Sequence, residues 1–371
     1  MRVTMLSKAL VVGAYQRKCE LIAEQPDIEL TVLVPPMWRT GDRPERLERA
    51  HTRGYVLREI PIRFSGNFHL HYYPTLLAEL AQLHPDIVHI DEEPYNAATY
   101  LALRNSHRVG ARAIFFSWQN LLRQYPPPFR WLERHVLSHA DGAIAGNQDA
   151  VTVLRAKGYT GTPRVIPQFG VDADIFQPHN RPATSGRFTI GYAGRLVKEK
   201  GVDLLLSAMA ELPSNVHAVI IGAGEERENL LQLAVQLNLG ERVTFLPPAP
   251  SARMPAVYAD FNALVLPSRA QTNWKEQFGR VLIEAMACGV PVIGSQCGEI
   301  PNVIGDAGLV FPENDPVALT AAVRALLEQP DLRADLAARG RARVLARYTM
   351  RQIASETVAM YRSVLQSKLQ F

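Results

Sequence analysis

Two glutamates, Glu276 and Glu284, stand on either side of a Phe278-Gly279 pair in the segment NWKEQFGRVLIEAMACGVPVIGS, residues 273–295. A carboxylate accepts hydrogen bonds from a vicinal diol, and the spacing puts Glu276 on a loop and Glu284 about a turn and a half inside a helix. The N–H groups of Phe278, Gly279, Arg280 and Val281 then lie between the carboxylates at the helix start, where the backbone dipole favours an anion. A ligand with a diphosphate in the middle and hydroxyl-bearing sugars at both ends fits that layout. Arg280 either adds a phosphate or sugar contact or points to solvent.

A second set of charges follows a glycine turn in GYAGRLVKEKG, where Arg195, Lys198 and Lys200 come after Gly194. Alone this is a weak phosphate signal. In the first half, three stretches carry groups of interest. SKALVVGAY holds Gly13, whose backbone could approach a phosphate or sugar closely, or which simply makes a turn. HIDEEPYN holds Asp91, Glu92 and Glu93. One carboxylate there could cap a helix, but three in a row exceed what capping needs, and adjacent like charges raise each other's pKa. Glu92 and Glu93 are therefore candidates for acceptor hydroxyl recognition or proton transfer. FFSWQN holds Trp118, Gln119 and Asn120, candidates for acceptor contact.

The elements that must position these groups alternate. Strands are expected at 3–6, 29–34, 86–90, 113–117 and 142–145, interleaved with helices at 15–24, 74–83, 97–108, 129–139 and 149–157. The stretch from Gly170 to Arg187 gathers Gly, Pro, Asn and Ser without periodicity, and a second alternating series begins beyond it. Such alternation means parallel sheets covered by helices, which bind ligands at the carboxyl ends of their strands. The fold class is α/β, with domains at 1–175 and 187–349 and a helical segment at 350–371.

Several motifs in the second half resemble one family in its own order: GYAGRLVKEKG, VIIGAGEERENL, RVTFLPP, YADFNALVLPS, EQFGRVLIE and GEIPNVIGDAGLVF. They are similar to the retaining glycosyltransferases of family 4, of the two-Rossmann-domain GT-B type. The resemblance implies two Rossmann-like domains facing each other across a cleft, with a C-terminal helix returning to the first. It also implies a UDP-sugar or GDP-sugar donor with no cofactor or metal. By the same resemblance Arg195 and Lys200 hold the donor diphosphate, Glu276 orients the transferred sugar and Glu284 binds the ribose. Gly13 meets the donor from the first domain, and 245–254 reads the base through its backbone. Relatives often have a histidine where Gln119 stands; a glutamine can position a hydroxyl but cannot shuttle a proton. An epimerase on the same architecture and a non-catalytic binding relative are the alternatives.

Composition narrows the rest. The chain has 371 residues and a formal net charge of +4, too long for one ordinary core. Seven arginines between Arg39 and Arg63 face four acids, which reads as a solvated face or as a surface for anionic lipid or a phosphorylated acceptor. No recognition-helix, RNP or zinc signature accompanies them, so nucleic acid is not expected. Cys19, Cys288 and Cys297 have no framework spacing and are expected as buried apolar residues in a reducing cytoplasm. The N-terminal apolar stretch is short and reads as a first strand. A saccharide, glycolipid or small hydroxylated acceptor is expected, with peripheral contact at the inner membrane face.

Overall fold

The computed structural model describes residues 1–40, 43–178 and 186–366. Two compact units emerge: Met1–Phe169 joined by the chain from Met350 onward, and Gly170–Thr349. Residues 179–185 of the expected linker, residues 367–371 of the expected C-terminal segment and the Arg43 side chain lie outside the described residues.

The first unit contains β1 (Arg2–Leu6), β2 (Glu29–Val34), β3 (Met37–Thr40), β4 (Arg43–Arg46), β5 (Val56–Glu59), β6 (Ile87–Ile90), β7 (Arg112–Ser117), β8 (Gly142–Ala145) and β9 (Arg164–Val165). Seven of these pair in parallel in the order β5-β2-β1-β6-β7-β8-β9, while β3 and β4 form an antiparallel hairpin. Successive side chains point to opposite faces, so each strand feeds two cores. Leu6, Leu33, Val88 and Phe115 enter one, and Val3, Met5, Val32 and Ile114 the other. The second core is closed by helix Met350–Gln366, which contributes Ile353, Val358, Tyr361 and Val364. Buried His89 reaches the Tyr361 hydroxyl at 2.7 Å, and burial holds its imidazole neutral, with a pKa near 4.

The second unit repeats the design with β10 (Phe188–Ala193), β11 (Val216–Ile221), β12 (Val243–Leu246), β13 (Ala263–Leu266), β14 (Val292–Ser295) and β15 (Leu309–Phe311). All pair in parallel, in the order β12-β11-β10-β13-β14-β15. Both sheets reverse strand order beside their first strand, between β1 and β6 and between β10 and β13. Doubly wound sheets bind ligands beyond the strand ends at that reversal.

Two features depart from the expected pattern. The segment expected as helix 15–24 opens as a 3₁₀ turn, Gly13–Gln16, and becomes α-helical only over Arg17–Ala23. The arginine-rich stretch holds the β3–β4 hairpin and the edge strand β5, whose polar sequences hide any alternation because little of either is buried. All three cysteines are free and buried. Among the described residues no helix is long and apolar enough to cross a membrane.

Candidate functional site

Beyond the ends of β10 and β11 the second unit holds a pocket of about 340 Å³. Gly194 and Arg195 follow β10 into its wall, Gly222 and Ala223 follow β11, and Arg280, Val281 and Glu284 come from helix Arg280–Ala287. The two strand-end loops meet backbone to backbone: a Cβ on Gly222 would lie 1.9 Å from the Gly194 carbonyl oxygen. Any side chain there would push the wall apart.

Glu284 is buried on the pocket wall with both oxygens engaged. The Tyr258 hydroxyl donates to Oε2 at 2.8 Å, and Arg280 Nε lies 2.8 Å from Oε1. Burial raises its carboxyl pKa, opposed by Arg280 and by the Tyr258 hydrogen bond. Burial also drives the Tyr258 hydroxyl upward, so the phenol remains a donor. Of the two readings of Arg280, the structure gives a side chain in the pocket wall, tied to Glu284. The helix begins at Arg280, two residues later than a cradle starting at Phe278 implies. Gly279 caps it at φ +77°, and Phe278 packs edge-on against Tyr348 at 5.7 Å.

Four residues before Arg280, Glu276 forms a largely buried ion pair with Lys200, Nζ to Oε2 2.5 Å. The Ser268 hydroxyl donates to the same oxygen at 3.0 Å, and the Lys200 ammonium lies 5.1 Å from the Trp274 ring centroid. Gly201, at φ +66°, brings this turn against β13: a Cβ would fall 2.1 Å from the Pro267 carbonyl oxygen. Arg195, by contrast, is 65% exposed and lies 3.6 Å from Glu199. Thus Arg195, Arg280, Val281 and Glu284 share one pocket wall, Lys200 and Glu276 form a separate pair, and Phe278 and Gly279 support the helix start.

The first-unit expectations need correction. Glu92 does not face outward for an acceptor. Its side chain is fully buried, paired with Lys8 and 3.4 Å from His71 Nε2, and Tyr73 and Asn96 each donate to it at 3.3 Å. Burial alone would raise its carboxyl, but Lys8 and His71 outweigh that and hold it at about 2. Glu93 moves the other way, to about 7, chiefly through burial and against hydrogen bonds from the Trp118 N–H and the Ser117 hydroxyl. Mutual repulsion, the reason given by the sequence, is a minor cause for Glu93 and does not govern Glu92.

Gln119 has both ends of its amide engaged, donating to Glu133 at 3.0 Å and accepting from Lys157 at 2.7 Å. These two bonds fix the orientation of the amide and leave it one further N–H and one further lone pair. The Trp118 indole donates to Gln168 at 2.9 Å and packs over Gly146, and Asn120 is buried. The Gly13 N–H donates to the Glu48 carboxylate at 2.7 Å, so a side-chain carboxylate takes the N–H that was expected to approach a phosphate or sugar of the donor. Lys8, Glu48, Glu133, Lys157 and Tyr258 escaped the sequence reading. Each acts through a partner distant along the chain, which spacing does not reveal.

Comparison with known proteins follows the same division. A model described as "Glycosyltransferase Family 4" matches residues 23–174, and one described as "Glycosyl transferases group 1" matches residues 174–343. A D-inositol 3-phosphate glycosyltransferase of Mycobacteroides abscessus is 34% identical over 195 residues, covering 48% of this chain and 43% of that protein. Its counterpart from Corynebacterium jeikeium is 33% identical over 233 residues, covering 56% and 54%. The match spans about half the length of these curated relatives. Among solved structures, Anabaena HepE in complex with UDP aligns with a TM-score of 0.76 at 20% identity over 98% of this chain and 100% of that one. A sucrose-phosphate synthase from Thermosynechococcus elongatus aligns with a TM-score of 0.74 at 22% identity over 99% and 100%. At such identities the structural likeness speaks for the fold alone. With two adjoining family models running from residue 23 to 343 and two sheets of Rossmann order, the chain belongs to the family 4 glycosyltransferases and has the two-Rossmann-domain GT-B fold.

Proposed function

We propose that this protein transfers a sugar from a nucleoside diphosphate sugar to a hydroxyl acceptor with retention of configuration. The observation that carries the reading is the second-unit pocket, whose lining brings a buried carboxylate for a diol, Glu284, one turn into a helix, together with Arg280 and Arg195. In this reading Glu284 takes the ribose hydroxyls and Glu276 orients the transferred sugar. The bond between the anomeric carbon and the β-phosphate oxygen breaks as the acceptor oxygen attacks from the same side. The acceptor proton passes to the departing phosphate oxygen. Arg195, Lys200 and the helix start supply the charge that stabilises the leaving diphosphate, so turnover is expected to survive a metal chelator.

The solved neighbour bound to UDP makes uridine nucleotides the first to test. Folded protein that binds a ligand gains stability by mass action, so a panel of UDP, GDP and their sugars can be screened by melting temperature. A shift with one base that disappears in Glu284→Ala supports the donor pocket; an equal shift in that variant overturns it. One observation favours a second reading, a binding protein without turnover: the engaged amide of Gln119 stands where relatives often carry a histidine. Formation of a glycosylated product excludes it, and release of an epimerised sugar without acceptor would identify an epimerase instead.

A further inference from the structure

Between β13 and helix Arg280–Ala287 the chain makes a tight turn, none of whose residues lines the second-unit pocket. Gln271 and Trp274 pair as an antiparallel bridge, with Thr272 and Asn273 exposed at the tip. The stem is fastened at three points. Arg269 Nη2 donates to both oxygens of Asp203, at 2.6 and 2.7 Å, and the Arg269 N–H donates to the Glu199 carbonyl at 2.8 Å. The Ala270 N–H donates to the Glu313 carboxylate at 2.6 Å. Held in place just after the tip is Trp274. Its ring lies over the Lys200 ammonium, 5.1 Å to the centroid, and that ammonium is the partner of Glu276. The cation–π contact occupies only part of the indole. Trp274 is half-buried, and its indole N–H donates to no group among the described residues. An indole N–H taken out of water usually finds an acceptor.

The parts gathered here define what completes them. Glu276 offers a carboxylate to hydroxyl groups, the open part of the ring offers an apolar surface, and the indole N–H offers a donor. A pyranose carries the same mixture, with hydroxyls around its rim and C–H bonds on its faces. An apolar ligand would leave the carboxylate and the N–H unmatched. A phosphate is served by Lys200 and has no use for the ring. A cap on Lys200 alone accounts for the place of the ring over the ammonium, but neither for the open N–H nor for a turn fastened at three points.

We propose that Trp274 is a wall of the transferred-sugar subsite and determines sugar specificity, its ring packing on a C–H face of a hexopyranose and its N–H donating to a sugar hydroxyl. This rests on the reading that Glu276 orients the transferred sugar. UDP-glucose, UDP-galactose, UDP-N-acetylglucosamine and GDP-mannose are each compared with the parent diphosphate by calorimetry and by tryptophan emission. One of these sugars is expected to change the emission beyond the effect of its diphosphate, and Trp274→Phe is expected to remove that difference. The ratio of nucleotide-sugar to diphosphate affinity should fall about tenfold in Trp274→Ala, which loses ring and N–H, and about fivefold in Trp274→Phe, which loses the N–H. Any change that reaches both ligands through Lys200 cancels in the ratio. An unchanged ratio in variants that melt like the parent overturns the proposal. So does a parent whose emission responds to every nucleotide sugar only as it does to the diphosphate, whatever the variants do. Either result beside UDP binding that Glu284→Ala abolishes sinks the role of Trp274 alone; binding of no diphosphate by the parent sinks the donor reading with it.

Discussion

At Glu284 the carboxylate is held by one phenol and one guanidinium, each on its own oxygen, so each oxygen keeps a second lone pair for a ligand hydroxyl. Removing the phenol oxygen tests this arrangement with little change in volume. Tyr258→Phe leaves Oε2 buried with one donor fewer and should weaken nucleotide binding by about 1–2 kcal/mol, read by calorimetry. Unchanged affinity would mean that Glu284 does not meet the nucleotide. Lys200 makes the complementary case. Its ammonium neutralises buried Glu276, so Lys200→Ala strands a carboxylate and also removes charge proposed for the leaving diphosphate. Turnover is expected to fall about 100-fold or more. A turnover within a few-fold of the parent would reduce Lys200 to a structural ion pair.

Helix Arg280–Ala287 shows why some of this was legible in sequence and some was not. Its apolar run and the stop at Gly289-Val290-Pro291 announce a helix packed against a strand, and Glu284 follows from the period. The start is less obvious, because Gly279 serves as cap through a left-handed backbone rather than a side chain, and no Ser, Thr or Asp marks the boundary. Gly279→Ala tests that cap. Its Cβ would carry the strain of φ +77° and press on Leu266 Cδ2 at 2.9 Å and Leu282 Cδ1 at 3.0 Å. A loss of about 1–2 kcal/mol is expected, with weaker nucleotide binding as the first turn shifts; calorimetric melting with and without UDP reads both. The fold class was legible because buried parallel strands leave long apolar runs between helices. Hairpin β3–β4 and strand β5 left none. Likewise, the paired roles of Lys8 with Glu92 and of Gln119 with Glu133 and Lys157 depend on where the sheet brings its strand ends, which a linear pattern does not contain.

At the scale of the molecule, three of the buried groups with shifted protonation in the first unit, His89, Glu93 and Glu92, pull its response to acid in different directions. His89 has a pKa near 4, below its ordinary 6.5, so on acidification the unfolded chain takes up that proton first and stability falls from about pH 6.5 to 4. Glu93, at about 7 against 4.5, does the opposite: the folded state takes up its proton first, and stability rises as pH falls from about 7 to 4.5. Over most of that window the two slopes oppose each other, and the parent should be nearly flat. Below it, Glu92, at about 2 against 4.5, loses its stabilising charge only after the unfolded state has been protonated, and stability drops. Glu93→Gln keeps an acceptor for the Trp118 N–H and a donor toward the Ser117 hydroxyl while removing the titration. The variant should be more stable than the parent above pH 7 by about 1–3 kcal/mol, and should lose that advantage steadily from about pH 6.5 downward as His89 acts unopposed. Trp38, Trp118 and Trp131 lie in the first unit and Trp274 in the second, so intrinsic fluorescence during urea unfolding weights the unit in question. Parallel pH profiles for parent and variant would show that Glu93 does not titrate near neutrality in the folded protein.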